Sequence, residues 1–343
     1  MSTGEPGGLY VVGFGAGSLD IRVPVGELGS PVLPDGTKDD TVWHATAYAQ
    51  NVLEQHLAGM RPGTVEDIGG NVLNMLAGLL EGDLSVQQAA MVTLHGEQDL
   101  ASQRIRGYLA DLGIVDLGVE APDAQASVGI IHHSTEEADR SIRARPRRGR
   151  LSDHIDADFV KSTTHGAAVV IASSLKDPKA SLLVAQNADP KAFMSVTPGS
   201  SEFAEPDVLL GFFDAAPQPD LVTLNTQEAA SLVGQRGETA STIVAALATC
   251  ALARHVLVTD GPRGLYLVSN GDAVYRRDAE KVPAHEIRST LGAGDAATVK
   301  AIELLVQNKS PETVLEGVAR QGALAIRHFG AHGHLPRRQR STA

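Results

Sequence analysis

Leu221-Val222-Thr223-Leu224-Asn225-Thr226-Gln227-Glu228 and, some thirty residues on, Val256-Leu257-Val258-Thr259-Asp260-Gly261-Pro262-Arg263-Gly264 decide the reading of the chain. Each begins as a short apolar run without polar alternation, the mark of a strand buried on both faces. Each then leaves the strand through polar or Gly/Pro residues, and a helical stretch starts at Thr226 between them. A buried strand, a helix and a second buried strand predict a parallel pair. Working outward, the same alternation gives a helix from Asp156, a strand over Ala167 to Ala172, another helical stretch and an extended piece at Phe193 to Val196. Toward the C-terminus it gives a hairpin at Asn270-Gly271 and two helices, about Asp295 to Gln307 and Pro311 to Phe329. The fold class is therefore α/β, with a mainly parallel central sheet flanked by helices on both faces.

The N-terminal half is less regular. Leu9 to Val12 reads as a buried strand, followed by Gly13-Phe14-Gly15-Ala16-Gly17 and an alternating Leu19, Ile21, Val23. A long connection from Pro24 to Ile68 contains a helical stretch at about Trp43 to Leu57. Gly69-Gly70 opens a helix bearing Val72, Met75, Leu76 and Leu79, and a strand (Ala89 to Leu94) and a helix (Asp99 to Leu112) follow. Extended pieces near residues 20, 118, 130 and 142 stay outside the alternation. They predict a small antiparallel β lid, built from about 20–68 and 115–145, on a single domain spanning 1–336. The basic tail 337–343 is expected to be disordered.

With 41 acidic against 29 basic residues, the formal charge is −12 over 343 residues, and 43% of the chain is hydrophobic. That balance excludes a disordered chain and disfavours nucleic acid as the main partner, because phosphate backbones need a basic footprint. Cys250 is the only cysteine, which rules out an intrachain disulfide and a thiolate zinc cluster. Residues 1–8 lack the basic start and apolar run of a signal peptide, and no apolar stretch reaches the roughly 18 residues of a membrane span. A cytoplasmic protein with no membrane partner is expected.

Several segments carry chemistry. Gly13 to Gly17 after a strand invites a dinucleotide-binding reading, but Leu19-Asp20-Ile21-Arg22-Val23-Pro24 continues as a strand, so no helix N-terminus faces a phosphate there. A bare glycine turn with Asp20 at its end is the simpler reading. Leu291-Gly292-Ala293-Gly294-Asp295 runs directly into a helix, and small residues let the first backbone N–H groups form an anion hole with Asp295 at its mouth. A carboxylate in that place can take a proton from a hydroxyl attacking a bound phosphate. By itself, the same pattern is also an ordinary helix cap after a glycine turn. Asn225 and Glu228 sit at a strand's carboxyl end and the turn after it, where ligands collect in open α/β sheets. Thr259 to Gly264 repeats that arrangement one strand later.

Taken together and in order, Gly69-Gly70-Asn71-Val72-Leu73-Asn74, Asn225-Thr226-Gln227-Glu228, Thr259-Asp260-Gly261-Pro262-Arg263-Gly264 and Ser289-Thr290-Leu291-Gly292-Ala293-Gly294-Asp295 resemble the motifs of the ribokinase-like (PfkB) family of small-molecule kinases. The resemblance runs from Val11 to about Pro336, and the spacing between Asp20 and Gly69 is nearest to the adenosine-kinase-like branch. It implies a ribokinase-like fold and an ATP- and Mg²⁺-dependent phosphotransferase acting on a hydroxyl of a sugar, cyclitol or glycoside. A nucleoside kinase is the alternative, and an inactive ligand-binding or regulatory homologue is the alternative of another class. The resemblance makes Asp295 the catalytic base and the amides of Gly292, Ala293 and Gly294 the anion hole. It gives Asn225 and Glu228 the ordering of Mg²⁺ through water, and Thr259, Gly261 and Gly264 the lining of the nucleotide site. Asp20, Gly70 and Asn74 are expected to hold the hydroxyls of a polyhydroxyl acceptor, and the lid is a surface on which a homodimer is allowed.

Three departures stand out. Ser289 replaces the acidic residue of the signature, which leaves the family's monovalent-cation site open. Ala297 occupies a place where an aromatic residue is common, and Ser173-Ser174-Leu175 offers no ring for an acceptor base. The arginines at 140, 143, 145, 147, 148 and 150 read as a solvated basic loop, except that Arg140 and Arg143 are placed to reach an anionic group from the lid. His332-Gly333-His334 reads as a loop pair rather than a metal site, for want of a third ligand.

Overall fold

The apolar runs of the sequence become the middle of a nine-stranded sheet in the order Ala273–Arg277, Leu265–Ser269, His255–Thr259, Leu221–Asn225, Phe193–Thr197, Val169–Ser173, Leu9–Phe14, Val86–Val92 and Ile114–Asp116. These positions come from a computed structural model that describes residues 8–23, 38–39, 42–44, 46–60, 63–133, 140–173, 177–199, 206–328 and 330–335. Every neighbouring pair from His255–Thr259 to Ile114–Asp116 is parallel. The opposite edge is closed by an antiparallel hairpin, and in the three residues that link Ser269 to Ala273, Asn270 (φ 53°) and Gly271 (φ 91°) have the left-handed backbone that a tight turn needs.

Burial on both faces explains the unbroken apolar runs. Val11, Val169, Leu221 and Leu257 face one core, shared with the helices Asn71–Glu81, Ala293–Val306 and Pro311–Ala325. Their neighbours Val12, Val170, Val222 and Val258 face the other, against helices that include Pro178–Asn187, Pro206–Ala215 and Ala240–Ala248. No helix among the described residues is long and apolar enough to cross a membrane.

A second sheet of six strands runs Lys38–Asp39, Val42–His44, Arg140–Arg145, Ser127–His133, Ser18–Val23 and Val65–Gly69. Three of its pairings are antiparallel, and two are parallel: Ser18–Val23 with Ser127–His133, and Val42–His44 with Arg140–Arg145. One face is apolar: Leu19, Ile21, Val128 and Ile130 are buried in the same core as Ala49, Val52 and Leu53 of the helix Thr46–Leu57.

The structure departs from the sequence reading at two places here. The piece expected in the lid at Val115 to Val119 is divided: Ile114–Asp116 is the last parallel strand of the main sheet, and Val119–Ala121 pairs with Leu94–Gly96 in a separate ribbon. Both strands are three residues long, too short for periodicity to assign them to a sheet. Trp43 lies in a strand, and the helix after it starts at Thr46. Residues 24–37 of the predicted Pro24 to Ile68 connection, and the 337–343 tail, lie outside the described residues.

Candidate active site

Two helices bring the site together. Asn74 Nδ2 donates to Asp295 Oδ2 at 2.6 Å, across 221 residues of sequence. One turn further along, the space where Gly78 would carry a Cβ is taken by Val299 Cγ2, 2.8 Å away, and a turn beyond that Asp83 N donates to Glu303 Oε1 at 2.7 Å. Contacts that advance by four and then five residues on one partner and by four each time on the other show that Asn71–Glu81 and Ala293–Val306 run side by side in the same direction. Their N-termini, each carrying the positive end of a helix dipole, therefore converge.

The direction of the first helix fixes where that happens. Val72 packs on Gly13 and Gly15, while Leu76 reaches back to Gly13, so the helix runs against the strand Leu9–Phe14 and starts at its carboxyl end. The glycine turn after that strand is thus explained by close helix packing, in agreement with its reading as a bare turn. Because the sheet is parallel, Asn225 and Thr259 end their strands on the same side as Phe14.

Gly292 forms the N-terminal boundary of the Ala293–Val306 helix at φ 78°, and no side chain caps it. A Cβ at this position would lie 2.6 Å from Ala331 Cα, so both the backbone angle and the space require glycine. Of the three expected anion-hole amides, that of Ala293 donates to Thr290 O in a long 3.3 Å bond. Gly294 is exposed with open space around it, and Asp295 is half-buried one residue further on. Ala297 is buried, and Ser289 Oγ is buried and accepts the Leu291 N–H at 3.1 Å, which holds the turn in shape.

Among the residues expected to hold the acceptor, Gly70 begins the other helix at φ 98°, and a methyl group there would run into the carbonyl oxygen of Ala16. Asn74 is buried, and its Oδ1 makes no hydrogen bond although its amide group is committed to Asp295. A buried acceptor beside a carboxylate suits a hydroxyl ligand, which can donate to it. Asp20 is also buried. Its carboxylate fills the space that side chains at Gly69 and Gly129 would occupy, and it accepts from Ser18 Oγ at 2.8 Å. The side chain of Arg140 lies outside the described residues, although its backbone pairs with His133.

The expected nucleotide-side residues form a second cluster. Asn225 and Glu228 make a capping box at the start of the helix Thr226–Leu232: Asn225 Oδ1 accepts the Glu228 N–H, and Glu228 Oε2 accepts the Asn225 N–H, both at 2.8 Å. Asn225 and Thr259 are register partners, and Thr226 Oγ1 donates to Thr259 O and to Asp260 Oδ1. Gly261 opens the short 3-10 turn that ends at Gly264. Asp260 was not singled out from the sequence, yet it is buried and joins the two loops. The Arg263 guanidinium beside it holds its carboxyl below the usual carboxylate range, with the Thr226 hydroxyl acting the same way. The sequence signal was the Asp/Arg pair three residues apart.

Two arginines contradict their reading. Arg143 does not reach toward a ligand from the lid; it is buried, with its guanidinium 5.5 Å from the centre of the Tyr48 ring. Arg145 is not a solvated loop residue: at 4% side-chain exposure it pairs with Asp99 at 2.8 Å and donates to Gln50 Oε1 and Ala126 O. Both lie on the lid face covered by the helix Thr46–Leu57, where a charge persists only because it is paired or stacked.

His332 and His334 remain a pair, and among the described residues no three His, Cys, Asp or Glu side chains gather as a metal site. Burial lowers the pKa of both. His334 falls to about 4, helped by His332 and His328, while Asp67 partly offsets the lowering at His332. Both rings are neutral near pH 7. The unfolded chain, with an ordinary histidine pKa near 6.5, binds the extra protons first, so stability should decline as pH falls from about 6.5 to about 4. Thermal unfolding across that window should show the decline, and His334→Asn should flatten part of it.

Comparison with known proteins places this geometry. A profile described as pfkB family carbohydrate kinase matches residues 40–338. A ribokinase from Arabidopsis thaliana is 30% identical over 122 residues, which is 35% of this chain and 32% of that protein. The adenosine kinase of Sinorhizobium meliloti superposes with a TM-score of 0.72 at 18% identity, over 94% of this chain and 95% of that one. A ribokinase from Thermotoga maritima gives 0.67 at 17%, over 96% of each chain. At these identities the two structures establish a shared ribokinase-like fold. The profile takes in most of the chain, including all four motif segments, and on that ground the chain belongs to the pfkB family of carbohydrate kinases.

Proposed function

We propose that this protein transfers the γ-phosphoryl group of ATP to a hydroxyl of a sugar, cyclitol or glycoside, in the cytoplasm. The observation that carries this reading is the 2.6 Å hydrogen bond from Asn74 to Asp295 at the meeting point of two helix N-termini. In the proposed reaction the acceptor is held by Asp20, Gly70 and Asn74, with Arg140 as a further contact. Asp295 takes the proton of the attacking hydroxyl, and Asn74 orients the receiving carboxylate. The turn Gly292 to Gly294 faces the charge that develops on the transferred group. Asn225, Thr259, Gly261 and Gly264 line the nucleotide.

Mg²⁺, when bound, supplies charge neutralisation between the phosphates, and Glu228 would hold it through water. The site suits an ion that keeps most of its hydration shell, since the described residues gather no carboxylate cage. Glu228→Gln keeps an oxygen for the Asn225 N–H and so preserves the cap while removing the charge. The Mg²⁺ concentration for half-maximal rate should rise by about 10- to 100-fold, with the acceptor's Michaelis constant nearly unchanged. A raised acceptor constant at unchanged Mg²⁺ dependence would move Glu228 to the other subsite.

Structural neighbours include both ribokinases and adenosine kinases, so an ADP-release assay should cover sugars, cyclitols, glycosides and nucleosides. Turnover of a polyol supports the proposal, and turnover of nucleosides alone replaces it with the nucleoside reading. Ser173 weighs against the latter, because it is buried, donates to Thr197 O and offers no ring to stack on a base. Thermal stabilisation by a ligand with no turnover of any acceptor would identify a binding protein instead.

A further inference from the structure

The turn after the last helix touches both halves of the site. Gly330 (φ 75°) lies directly on Asp67: a methyl group there would collide with Asp67 Oδ2, and Arg22 Cζ is 3.9 Å away on the same side. The next residue, Ala331, is buried and occupies the space beside Gly292, the residue that opens the anion-hole helix. Asp67 is fixed from its own side as well. Its Oδ1 accepts the Ile68 N–H at 2.9 Å, and Arg22 lies 3.7 Å from its Oδ2. Register adds a third link, because Asp67 stands directly opposite Asp20 in the lid sheet.

We infer that Asp67 is a positioning residue, and that it acts through Gly330 and Ala331 to set the lid strand that carries Asp20 and the Gly292 turn relative to each other. Ala331 leaves no space for the turn to relax toward the C-terminal segment, and Gly330 lets the lid strand approach closely enough to hold that segment in place. A packed contact of this kind transmits displacement, since interiors do not compress. Neither Asp67 nor Gly330 touches the reacting groups. Their effect is on where Asp295 and the amides of its turn stand when the acceptor is bound, and a misplacement of about 1 Å at such a site can cost roughly 10²-fold in rate.

The test compares Asp67→Ala, Asp67→Asn and Gly330→Ala in the full chain. Hydrogen exchange is followed by mass spectrometry at residues 292–298 and 65–69, and steady-state kinetics are measured on the best acceptor of the panel. Asp67→Ala removes the seat on Gly330. Exchange at 292–298 should speed up clearly although Asp67 is not part of that segment, and kcat should fall by about 10- to 100-fold while the Michaelis constant for ATP stays within about twofold. Asp67→Asn keeps the shape and the Ile68 contact, and should restore most of the protection. Gly330→Ala drives the same two surfaces apart from the other side and should reproduce the alanine signature, so it stands in if Asp67→Ala folds poorly. Faster exchange confined to 65–69, with 292–298 and kcat unchanged, would overturn the inference. The kinetic arm rests on the kinase reading; the exchange arm needs no substrate. A wild-type protein that phosphorylates nothing therefore defeats the kinase reading and leaves the exchange result to decide this one.

Discussion

Asp295→Asn is expected to reduce phosphoryl transfer by about 10²- to 10⁴-fold, the usual range for loss of a general base. The substitution keeps the shape of the side chain and can still accept the Asn74 Nδ2 hydrogen through its amide oxygen. It cannot take the acceptor's proton. Nucleotide binding, measured by calorimetry or by thermal shift with ATP, should change little, because the residues expected to line the nucleotide lie at the ends of Leu221–Asn225 and His255–Thr259. Near wild-type turnover would remove Asp295 from the role of base. Equal loss of transfer and of ATP binding would mean that the substitution had disturbed the helix N-terminus instead.

The second large effect is structural and lies across the site. Gly70→Ala forces a Cβ against the backbone carbonyl of Ala16 at a φ of 98°. Holding a non-glycine residue in so sparsely populated a conformation costs on the order of 1–3 kcal/mol. The clash with backbone, which cannot rotate away as a side chain could, adds an overpacking cost of about the same size. Chemical denaturation should show the loss directly. Whatever folded protein remains should be a poor kinase, since any relief of the clash shifts the first turn of Asn71–Glu81 and with it Asn74, the partner of Asp295. A variant as stable and active as wild type would show that the turn accommodates a side chain, and would separate the start of this helix from the chemistry.

How much of this could be read before the fold was known follows from which signals are local. Leu221 to Leu224 and Val256 to Val258 declared themselves as strands because burial on both faces leaves no polar alternation. The Gly292 turn was visible because small residues ahead of a helix have few other uses. Asn225 and Glu228 were legible as a family motif at a strand's carboxyl end, although only the structure shows that they form a capping box in which each side chain binds the other's backbone. What escaped depended on partners far away in sequence. Arg145 was read as part of a solvated run because nothing near it hints at Asp99, 46 residues earlier. Its position two residues after Arg143 in a strand was the one available sign that both share a face, and it does not say which face is covered. Asp67 and Arg22 carried no motif; their meaning comes from the seating of Gly330, and the sequence does not announce that contact. Val115 to Val119 reads as a lid piece because so short a stretch gives no periodicity, whereas the register of Ile114–Asp116 with Val86–Val92 is decided by the sheet.

The strand order also has a consequence for the chain as it leaves the ribosome. Leu9–Phe14 is made early but lies between Val86–Val92 and Val169–Ser173. It must wait, apolar and unpaired on at least one edge, until about half of the chain has been synthesised. Asn74 waits longer still, since its partner Asp295 arrives only when the two C-terminal helices are being made. Nascent chains stalled short of that point would carry Asn74 with no carboxylate opposite it and an exposed helix groove where Ala293–Val306 belongs. Such intermediates are aggregation-prone, because parallel strands with long sequence separations pair slowly and expose edges while they wait.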